Sequence, residues 1–238
     1  MPTFRHGKNT VVIADEFDIT TYLNSVSASN AVEVPETTTF GSSDRTFIAG
    51  HTDGSVSFEG LFDGSSDAID EILNTALGDG PIMTVSGDGS GVGRRAVLLD
   101  SKSTSYEVSS PLTEVVAVSG EAVANGGLDY GVWLACQQSV STTLTGTAND
   151  NSVASSNGGV AHLHVTANTR DGTTVAKVQA SADNLTWADL ATFATISTST
   201  ATSERVEVTG SVARYLRAVV TPAGSTGSLT VSIAFARR

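Results

Sequence analysis

The sequence predicts a mainly β protein with one α-helix, divided into two domains. Short runs of alternating apolar and polar residues recur through the 238 residues, and turn residues such as Asp171-Gly172 separate them. Only residues 66–77 place apolar side chains at helical spacing. Residues 1–140 hold 19 acidic and 6 basic side chains, whereas residues 141–238 hold 6 and 7. This charge asymmetry predicts one domain over 1–140 and a second over 141–238.

In the first domain we expect strands at residues 10–14, 26–34, 55–62, 81–86, 94–99, 104–109, 113–124 and 128–135. Residues 17–23 are expected to form a turn or a short helical piece, and residues 87–93 a glycine-rich connector between two strands. Asp53-Gly54 is typical of a hairpin turn.

The single predicted helix covers residues 66–77. Ile69 and Leu73 belong to its apolar stripe. The hydroxyl of Ser66 is expected to cap its first turn, because it can accept an otherwise unpaired backbone N–H. Gly78 is expected to end it.

The second domain has a more regular pattern. Strands are expected at residues 160–167, 173–181, 186–196, 203–208, 212–220 and 228–235, with turn residues between them. Such spacing predicts a small all-β sandwich. Val175 and Val178 fall on opposite faces of one strand, which indicates a β-bulge or a register error in this interpretation.

Composition excludes several classes of protein. A single cysteine, Cys136, excludes an intrachain disulfide, and no apolar stretch reaches the length of a membrane span. The first ten residues lack an apolar signal core, so classical export is not expected. A net charge of −12 does not suit binding to a phosphate backbone. An acidic wall could keep passing DNA from adhering, and the plainer alternative is solubility.

The sequence offers weak candidates for catalysis or metal binding. His162 and His164 share one face of a strand, but no third ligand lies nearby, and two exposed or half-buried strand histidines are the expected outcome. Residues 87–93 lack the lysine of a phosphate-binding loop, and no G-x-S-x-G motif occurs. Cys136 is expected to be a small core residue. We therefore expect no enzyme activity, no metal and no cofactor.

Two aromatic residues in the second domain suggest another possibility. Trp187 and Tyr215 could form a platform on which a sugar stacks. A lone tryptophan in a small β-sandwich is more often a core residue.

Three sequence pieces carry a resemblance to a known family. They are YLNSVS at 22–27, ETTTFGSSD at 36–44 and DGSVSFEGLFDG at 53–64, followed by the predicted helix. Together they resemble the N-terminal region of major tail proteins, the tail tube subunits of long-tailed, non-contractile bacteriophages. The resemblance covers about the first 135 residues, most clearly 15–77. Residues 141–238 resemble added β-sandwich modules of virion surfaces, either immunoglobulin-like or carbohydrate-binding-like.

The resemblance implies a tail-tube β-sandwich or barrel domain with one outer helix. The resemblance also implies hexameric rings that form by joining inner sheets, and a long loop between early strands that reaches the neighbouring ring. Residues 35–54 fit that loop: they are rich in Thr, Ser and Gly and without obvious structure. The residues expected to act there are Thr37, Thr38, Thr39, Phe40, Asp44 and Arg45.

Strand alternation and the acidic balance suggest which residues would face the lumen. We expect Glu33 and Glu59 there, with Glu114 behind them. The implied partners are further copies of the chain, a tape-measure protein and the tail terminator and tip proteins. DNA would pass without specific binding, no membrane would be involved, and the protein would belong to the virion tail after assembly in the host cytoplasm.

Two other functions stay open at this point. The second domain could be a virion adhesion module that binds host sugars, with Trp187 in its site. The chain could also be the tube protein of a contractile, secretion-type machine, which shares the general fold. An enzyme is the weakest alternative.

Overall fold

The computed structural model describes residues 4–238 and confirms the predicted fold class, since it is mainly β with one short α-helix. Short 3-10 turns lie at Gly7–Asn9 and Thr20–Tyr22. The strands and the helix, in chain order, are Val11–Ala14 (β1), Phe17–Asp18 (β2), Leu23–Val32 (β3), Thr52–Leu61 (β4), Ile69–Thr75 (α1), Ile82–Ser86 (β5), Arg95–Ser109 (β6), Ala117–Ala124 (β7), Asp129–Val140 (β8), Leu144–Thr145 (β9), Asn149–Asp150 (β10), Gly159–Asn168 (β11), Thr174–Ser181 (β12), Ala188–Thr192 (β13), Thr202–Val208 (β14), Tyr215–Pro222 (β15) and Leu229–Arg237 (β16).

These elements form two compact units. The larger unit contains residues 4–21, 81–99 and 129–238, and the smaller unit contains residues 22–80 and 100–128. The units do not follow the boundary expected at 140/141, because residues 129–140 share a sheet with residues 159–237. As a division of function, that boundary stays a prediction.

The larger unit contains two sheets. One has the order β14-β11-β16-β8-β6-β5-β1-β2, to which β6 contributes its first residues, and the other has the order β10-β15-β12-β13 with β9 beside β15. Alternate apolar residues from both sheets form one core, as expected for a β-sandwich. Its fully buried members include Leu163, Val178, Leu216 and Phe235.

A second buried cluster in the larger unit includes Ile13, Leu98, Trp133 and Cys136. Cys136 is a buried free thiol, as expected, and burial raises its pKa to about 12. The bulge or register error expected between Val175 and Val178 is not found. Val178 is buried and Val175 half-buried on the opposite face of β12, and the pairing with β15 continues between them without a shift. The register with β13 shifts only after Val178.

The smaller unit contains the sheet β3-β4-β7-β6, in which β6 contributes residues 100–109. The hairpin turn predicted at Asp53-Gly54 is wrong, since both residues lie within β4. Gly54 is buried there, and an added Cβ would lie 2.6 Å from the Leu128 side chain. Close packing, and not a turn, therefore requires this glycine. The strands predicted at 94–99 and 104–109 are one continuous strand, β6.

The helix is shorter than predicted, and Ser66 does not cap it. Ala68 occupies the N-cap position without a side-chain hydrogen bond, and Asp67 before it has a left-handed φ of 57°. The backbone N–H of Asp67 donates to the Glu71 carboxylate at 2.9 Å, so an acid inside the helix satisfies the donor at its entry. Residues 4–238 contain no helix with the length and apolar character needed to cross a membrane.

Candidate assembly surfaces

One face of the smaller unit's sheet consists mainly of serine and glutamate. The pairing of β3, β4, β7 and β6 aligns its side chains in rows across the four strands. One row is Ser25, Glu59, Ser119 and Glu107, and the next is Ser27, Ser57, Glu121 and Ser105. Val56 and Phe58 of β4 point to the opposite, buried face. We call the exposed side the serine–glutamate face.

The three carboxylates of this face are arranged so that none opposes another directly. Glu59 and Glu107 both lie opposite Ser119, and Glu121 lies opposite Ser57 and Ser105. Like charges directly opposite each other would destabilise the sheet, and this alternation avoids that pairing. Within residues 4–238 none of the three carboxylates forms an ion pair or hydrogen bond. The next row is Ser29, Ser55, Val123 and Lys102, and the Lys102 ammonium lies 3.6 Å from the Asp79 carboxylate. The rows that hold the three glutamates therefore present unneutralised negative charge among small hydroxyl groups.

The three glutamates predicted from sequence lie in different places. Glu59 is on the serine–glutamate face. Glu33 follows β3, where it continues the ladder: its N–H donates to the His51 carbonyl at 2.9 Å. Alternation places it on the same side as Ser25. Glu114 lies in the exposed segment between β6 and β7, outside the sheet.

Sequence reasoning missed Glu107 and Glu121. The signal was present, since Ser105 and Glu107 alternate with neighbours in one predicted strand, as do Ser119 and Glu121 in another. The missing step was to align the two strands with β4. That register depends on pairing between segments distant in sequence.

The sheet of the smaller unit has unpaired edges on both sides. Among residues 4–238, β3 pairs only with β4, so its outer edge has no strand partner. At the other side the segment 77–80 covers the first part of β6, where Gly78 N–H donates to the Ser103 carbonyl. Gly80 approaches so closely that an added Cβ would lie 1.4 Å from the Ser101 carbonyl oxygen. Residues 104–109 of β6 extend beyond this cover, as an edge that another strand could pair with.

Residues 33–51, which we call the arm, connect β3 to β4. Residues 35–54 were expected to have no obvious structure, whereas backbone hydrogen bonds join the two halves of the arm into a two-stranded ribbon. Thr37 N–H donates to the Thr46 carbonyl at 2.8 Å, and Ile48 N–H donates to the Pro35 carbonyl at 3.2 Å. At its tip, the Thr46 N–H donates to the Thr38 hydroxyl.

The arm contains all six residues predicted to act between rings, and all six are exposed. Arg45 lies 4.0 Å from the Glu36 carboxylate. Phe40 is fully exposed, and Val34, Phe47 and Ile48 are each more than half exposed. A two-stranded ribbon without a packed face is marginally stable by itself, so these apolar side chains need another surface.

A second exposed apolar group lies at the opposite end of the same sheet. β3 joins the arm at the end where Val32 pairs with Thr52, whereas the second group lies where β4 and β6 end. We call it the far patch, and it consists of Leu61, Phe62, Val108, Leu112 and Val115. Leu112 is fully exposed.

The expectation that His162 and His164 are exposed or half-buried is wrong. Both are fully buried, and the Thr84 hydroxyl lies 3.1 Å from His162 Nδ1 and 2.8 Å from His164 Nε2. His164 Nδ1 lies 2.7 Å from the Asp15 carbonyl and therefore donates to it, so the neutral ring accepts the Thr84 hydroxyl proton at Nε2. Thr84 then accepts from His162 Nδ1. The described residues contain no cluster of three or more metal-ligating side chains.

The two tryptophans differ in burial. Trp133 is fully buried, whereas Trp187 is partly exposed and packs under the Arg217 guanidinium, 4.1 Å from the ring centroid. The expectation of a core position is therefore wrong for Trp187. Tyr215 packs against a different arginine, Arg214, at 4.9 Å.

Comparisons with known proteins find likeness in structure only. No protein-family model and no curated protein matches the sequence. A chain in the virion of a native gene transfer agent particle aligns with 53% of this chain and 98% of its own length, at 20% identity and a TM-score of 0.44.

Two other solved structures align at lower identity. The cap that terminates the anti-feeding prophage tube covers 56% of this chain and 93% of its own, at 10% identity and a TM-score of 0.43. The Dit protein of phage SPP1 covers 95% and 97%, at 11% identity and a TM-score of 0.38. These structural neighbours are tail or tube components, but such low TM-scores carry no functional argument.

Proposed function

We propose that the chain is a structural virion protein, the subunit of a tail tube in a long-tailed, non-contractile bacteriophage. The observation that carries the proposal is the serine–glutamate face, which lies on a sheet with unpaired edges on both sides. The sequence resemblance at residues 15–77 independently suggests the same class of protein.

Ring formation follows from the unpaired edges. If β3 of one copy pairs with residues 104–109 of the next, every sheet gains a neighbour on each side. Closing such a ring removes the edges that would otherwise invite open-ended pairing. The resemblance suggests six copies. The serine–glutamate faces would then form one continuous inner wall.

Stacking of rings follows from the arm and the far patch. They lie at opposite ends of one sheet, and both expose large apolar side chains. Contact between different patches on identical copies generates an extended assembly. The arm of one ring would pack on the far patch of the next, and its ribbon would become ordered in the process.

The wall would act passively on its cargo. Carboxylates repel the phosphates of DNA, and serine hydroxyls offer no positive charge to hold them. DNA could then move through without specific binding. A tape-measure protein inside the tube, and terminator and tip proteins at its ends, complete the proposed set of partners.

Electron microscopy of concentrated protein tests assembly directly. We expect stacked rings or tubes from the unmodified chain, and single rings without stacks from the double variant Phe40→Asp, Ile48→Asp, because charge prevents burial of the arm. Leu185→Asp is the control, since the exposure of Leu185 lies between those of Phe40 and Ile48 but the residue belongs to the larger unit. A chain that stays monomeric at every concentration would contradict the proposal.

Charge reversal tests the wall. Tubes of the double variant Glu59→Lys, Glu121→Lys should retain about tenfold more duplex DNA in low-salt co-sedimentation than unmodified tubes, and salt should remove the difference. Glu114→Lys adds positive charge outside the sheet and is the control. Equal retention by all three proteins would show that the serine–glutamate face does not contact DNA.

A further inference from the structure

A groove of about 320 Å³ opens at one end of the larger unit. One wall comes from β6, β8 and β16 and the other from β10 and the residues after it. The polar and aromatic side chains of its lining include Arg95, Tyr130, Asn149, Asp150, Asn151 and Arg237. The volume lies within the range of small-molecule sites and suits one or two sugar rings.

Two hydrogen-bonding groups in this groove have no partner among residues 4–238. The guanidinium of Arg95 forms neither an ion pair nor a hydrogen bond, and the same is true of the Tyr130 hydroxyl. Tyr130 is about half exposed, with its side chain 51% accessible. Arg95 pairs with Val132 across the sheet and Val97 pairs with Tyr130, so the two side chains are diagonal neighbours on one face.

The groove carries positive charge in a strongly acidic chain. Its one carboxylate, Asp150, accepts two hydrogen bonds from Arg214, each 2.7 Å long, which lower its pKa to about 2. Asp150 is thus already neutralised. Arg237 donates to backbone carbonyls of residues 153 and 212–214 and has no acidic partner. The charges of Arg95 and Arg237 are therefore uncompensated.

Amide groups supply neutral polar contacts along the rim. Asn149 Nδ2 donates to Asn151 Oδ1 at 3.0 Å, which leaves Asn149 Oδ1 as an acceptor. That oxygen would lie 2.7 Å from a Cβ at position 93, so Gly93 keeps it accessible. Planar amides beside an exposed aromatic ring suit the hydroxyls and the apolar face of a sugar ring.

The shallow groove on the serine–glutamate face provides a contrast within the same chain. It is lined by Glu59 and Glu121 and contains no lysine or arginine. An anion would be repelled there. Of these two grooves, that of the larger unit combines uncompensated arginine, an aromatic ring and amides.

We propose that the groove around Arg95 and Tyr130 binds an acidic sugar, a mono- or disaccharide that carries a carboxylate or a phosphate. The anion would pair with the planar Arg95 guanidinium, which matches both groups geometrically. The ring would pack on Tyr130, and its hydroxyls would bond to the amides of Asn149 and Asn151. This site is independent of the proposed tube function, since it uses no residue of the smaller unit.

Calorimetry and ligand-detected NMR with the full chain test the proposal. The probes are glucuronate, glucose 6-phosphate, neutral glucose and inorganic phosphate. We expect the two acidic sugars to bind about tenfold or more tightly than glucose or phosphate, because only they engage both the arginine and the ring. Comparing glucuronate with glucose 6-phosphate distinguishes carboxylate from phosphate as the preferred anion.

Two variants and a control locate the binding. Arg95→Gln and Tyr130→Ala should each weaken the preferred acidic sugar about tenfold, whereas Arg217→Gln, which removes an arginine beside Trp187, should not. The Arg95 guanidinium has no hydrogen bond or ion pair within residues 4–238 to lose, so an unchanged unfolding midpoint would verify that its variant is folded. Absence of binding, equal binding of glucose or inorganic phosphate, or equal losses in Arg217→Gln would each overturn the proposal.

Discussion

The two units differ in how much they bury their large apolar side chains. The larger unit buries its large side chains in two clusters, one containing Phe235 and the other Trp133. The smaller unit exposes many of its own: among residues 4–238, eleven of the sixteen exposed large hydrophobic residues belong to it. Five of these eleven form the far patch, and four belong to the arm.

This difference indicates which of the two units has surfaces available for association with further protein. A unit that exposes large apolar side chains at two ends and unpaired strand edges on two sides has surfaces suited to binding further protein. The larger unit closes its own sandwich. Self-association should therefore depend on the smaller unit, and stability measured on the monomer should depend mostly on the larger one.

Replacing one phenylalanine in each unit tests this difference most directly and has the largest expected effect. Phe235→Ala should lower the free energy of unfolding by about 4 kcal/mol, because it leaves a cavity in the sandwich core. Phe40→Ala should change it by less than about 0.5 kcal/mol, because Phe40 is fully exposed. Urea unfolding followed by tryptophan fluorescence measures Phe235→Ala, since both tryptophans lie in the larger unit.

Circular dichroism follows the whole chain and suits Phe40→Ala. A large loss of monomer stability in that variant would show that the arm packs within its own chain. Unchanged stability in Phe235→Ala would show that the sandwich core tolerates a void of that size.

The second expected effect is a loss of stability in acid. Burial lowers the pKa of His164 to about 4 and that of His162 well below its ordinary value of 6.5. In the unfolded chain both rings bind protons below about 6.5, whereas in the folded chain they stay neutral. The free energy of unfolding is therefore highest above pH 6.5 and decreases as the pH is lowered. His164 alone should account for a loss of about 3 kcal/mol between pH 6.5 and pH 4.

Urea midpoints between pH 7 and pH 4, read by tryptophan fluorescence, measure this slope. His164→Gln should be less stable at pH 7 but lose less between pH 6.5 and 4. His51→Gln is the control, because His51 is exposed and lies in the smaller unit. Asp150, Asp171 and Asp183 have lowered pKa values of about 2, so their contributions are lost mainly below the histidine window. The same slope in His164→Gln and the unmodified chain would contradict this assignment.

The third expected effect is a local loss of stability in the helix of the smaller unit. The Tyr106 hydroxyl donates a hydrogen bond to the Asp70 carboxylate, and burial together with this carboxylate raises the pKa of Tyr106. Tyr106→Phe should reduce the protection of residues 69–75 in hydrogen exchange by about 1 kcal/mol. Tryptophan fluorescence should not change. Equal protection in both proteins would show that the bond contributes nothing to helix stability.

Local patterns in the sequence predicted most elements, because the cause of each was local. The alternation around Val56 and Phe58, and the stripe with Ile69 and Leu73, were enough to predict a strand and a helix. The hairpin turn predicted at Asp53-Gly54 was wrong because the turn preference of these residues is weaker than the pairing of β4 with β3 and β7. The cap predicted at Ser66 was wrong because the carboxylate of Glu71, later in the sequence, accepts a backbone N–H at the start of the helix.

The candidate surfaces were less predictable, since they depend on distant pairing. Glu59 was found from one strand, but Glu107 and Glu121 join it only through the register of three strands. Burial of His162 and His164 required Thr84, which lies on another strand of the same sheet. The groove around Arg95 and Tyr130 could not be predicted from the sequence, because Arg95 and Asn149 belong to segments far apart in the chain.

Strand β16, which follows all the others in sequence, lies between β11 and β8 near the middle of its sheet. The chain emerging from the ribosome therefore cannot complete the larger unit until residue 237 has been synthesised. Nascent and prematurely terminated products lack that strand, and they should be recognised as unfolded by proteases. Synthesis itself would thus keep defective copies out of any particle that this protein helps to build.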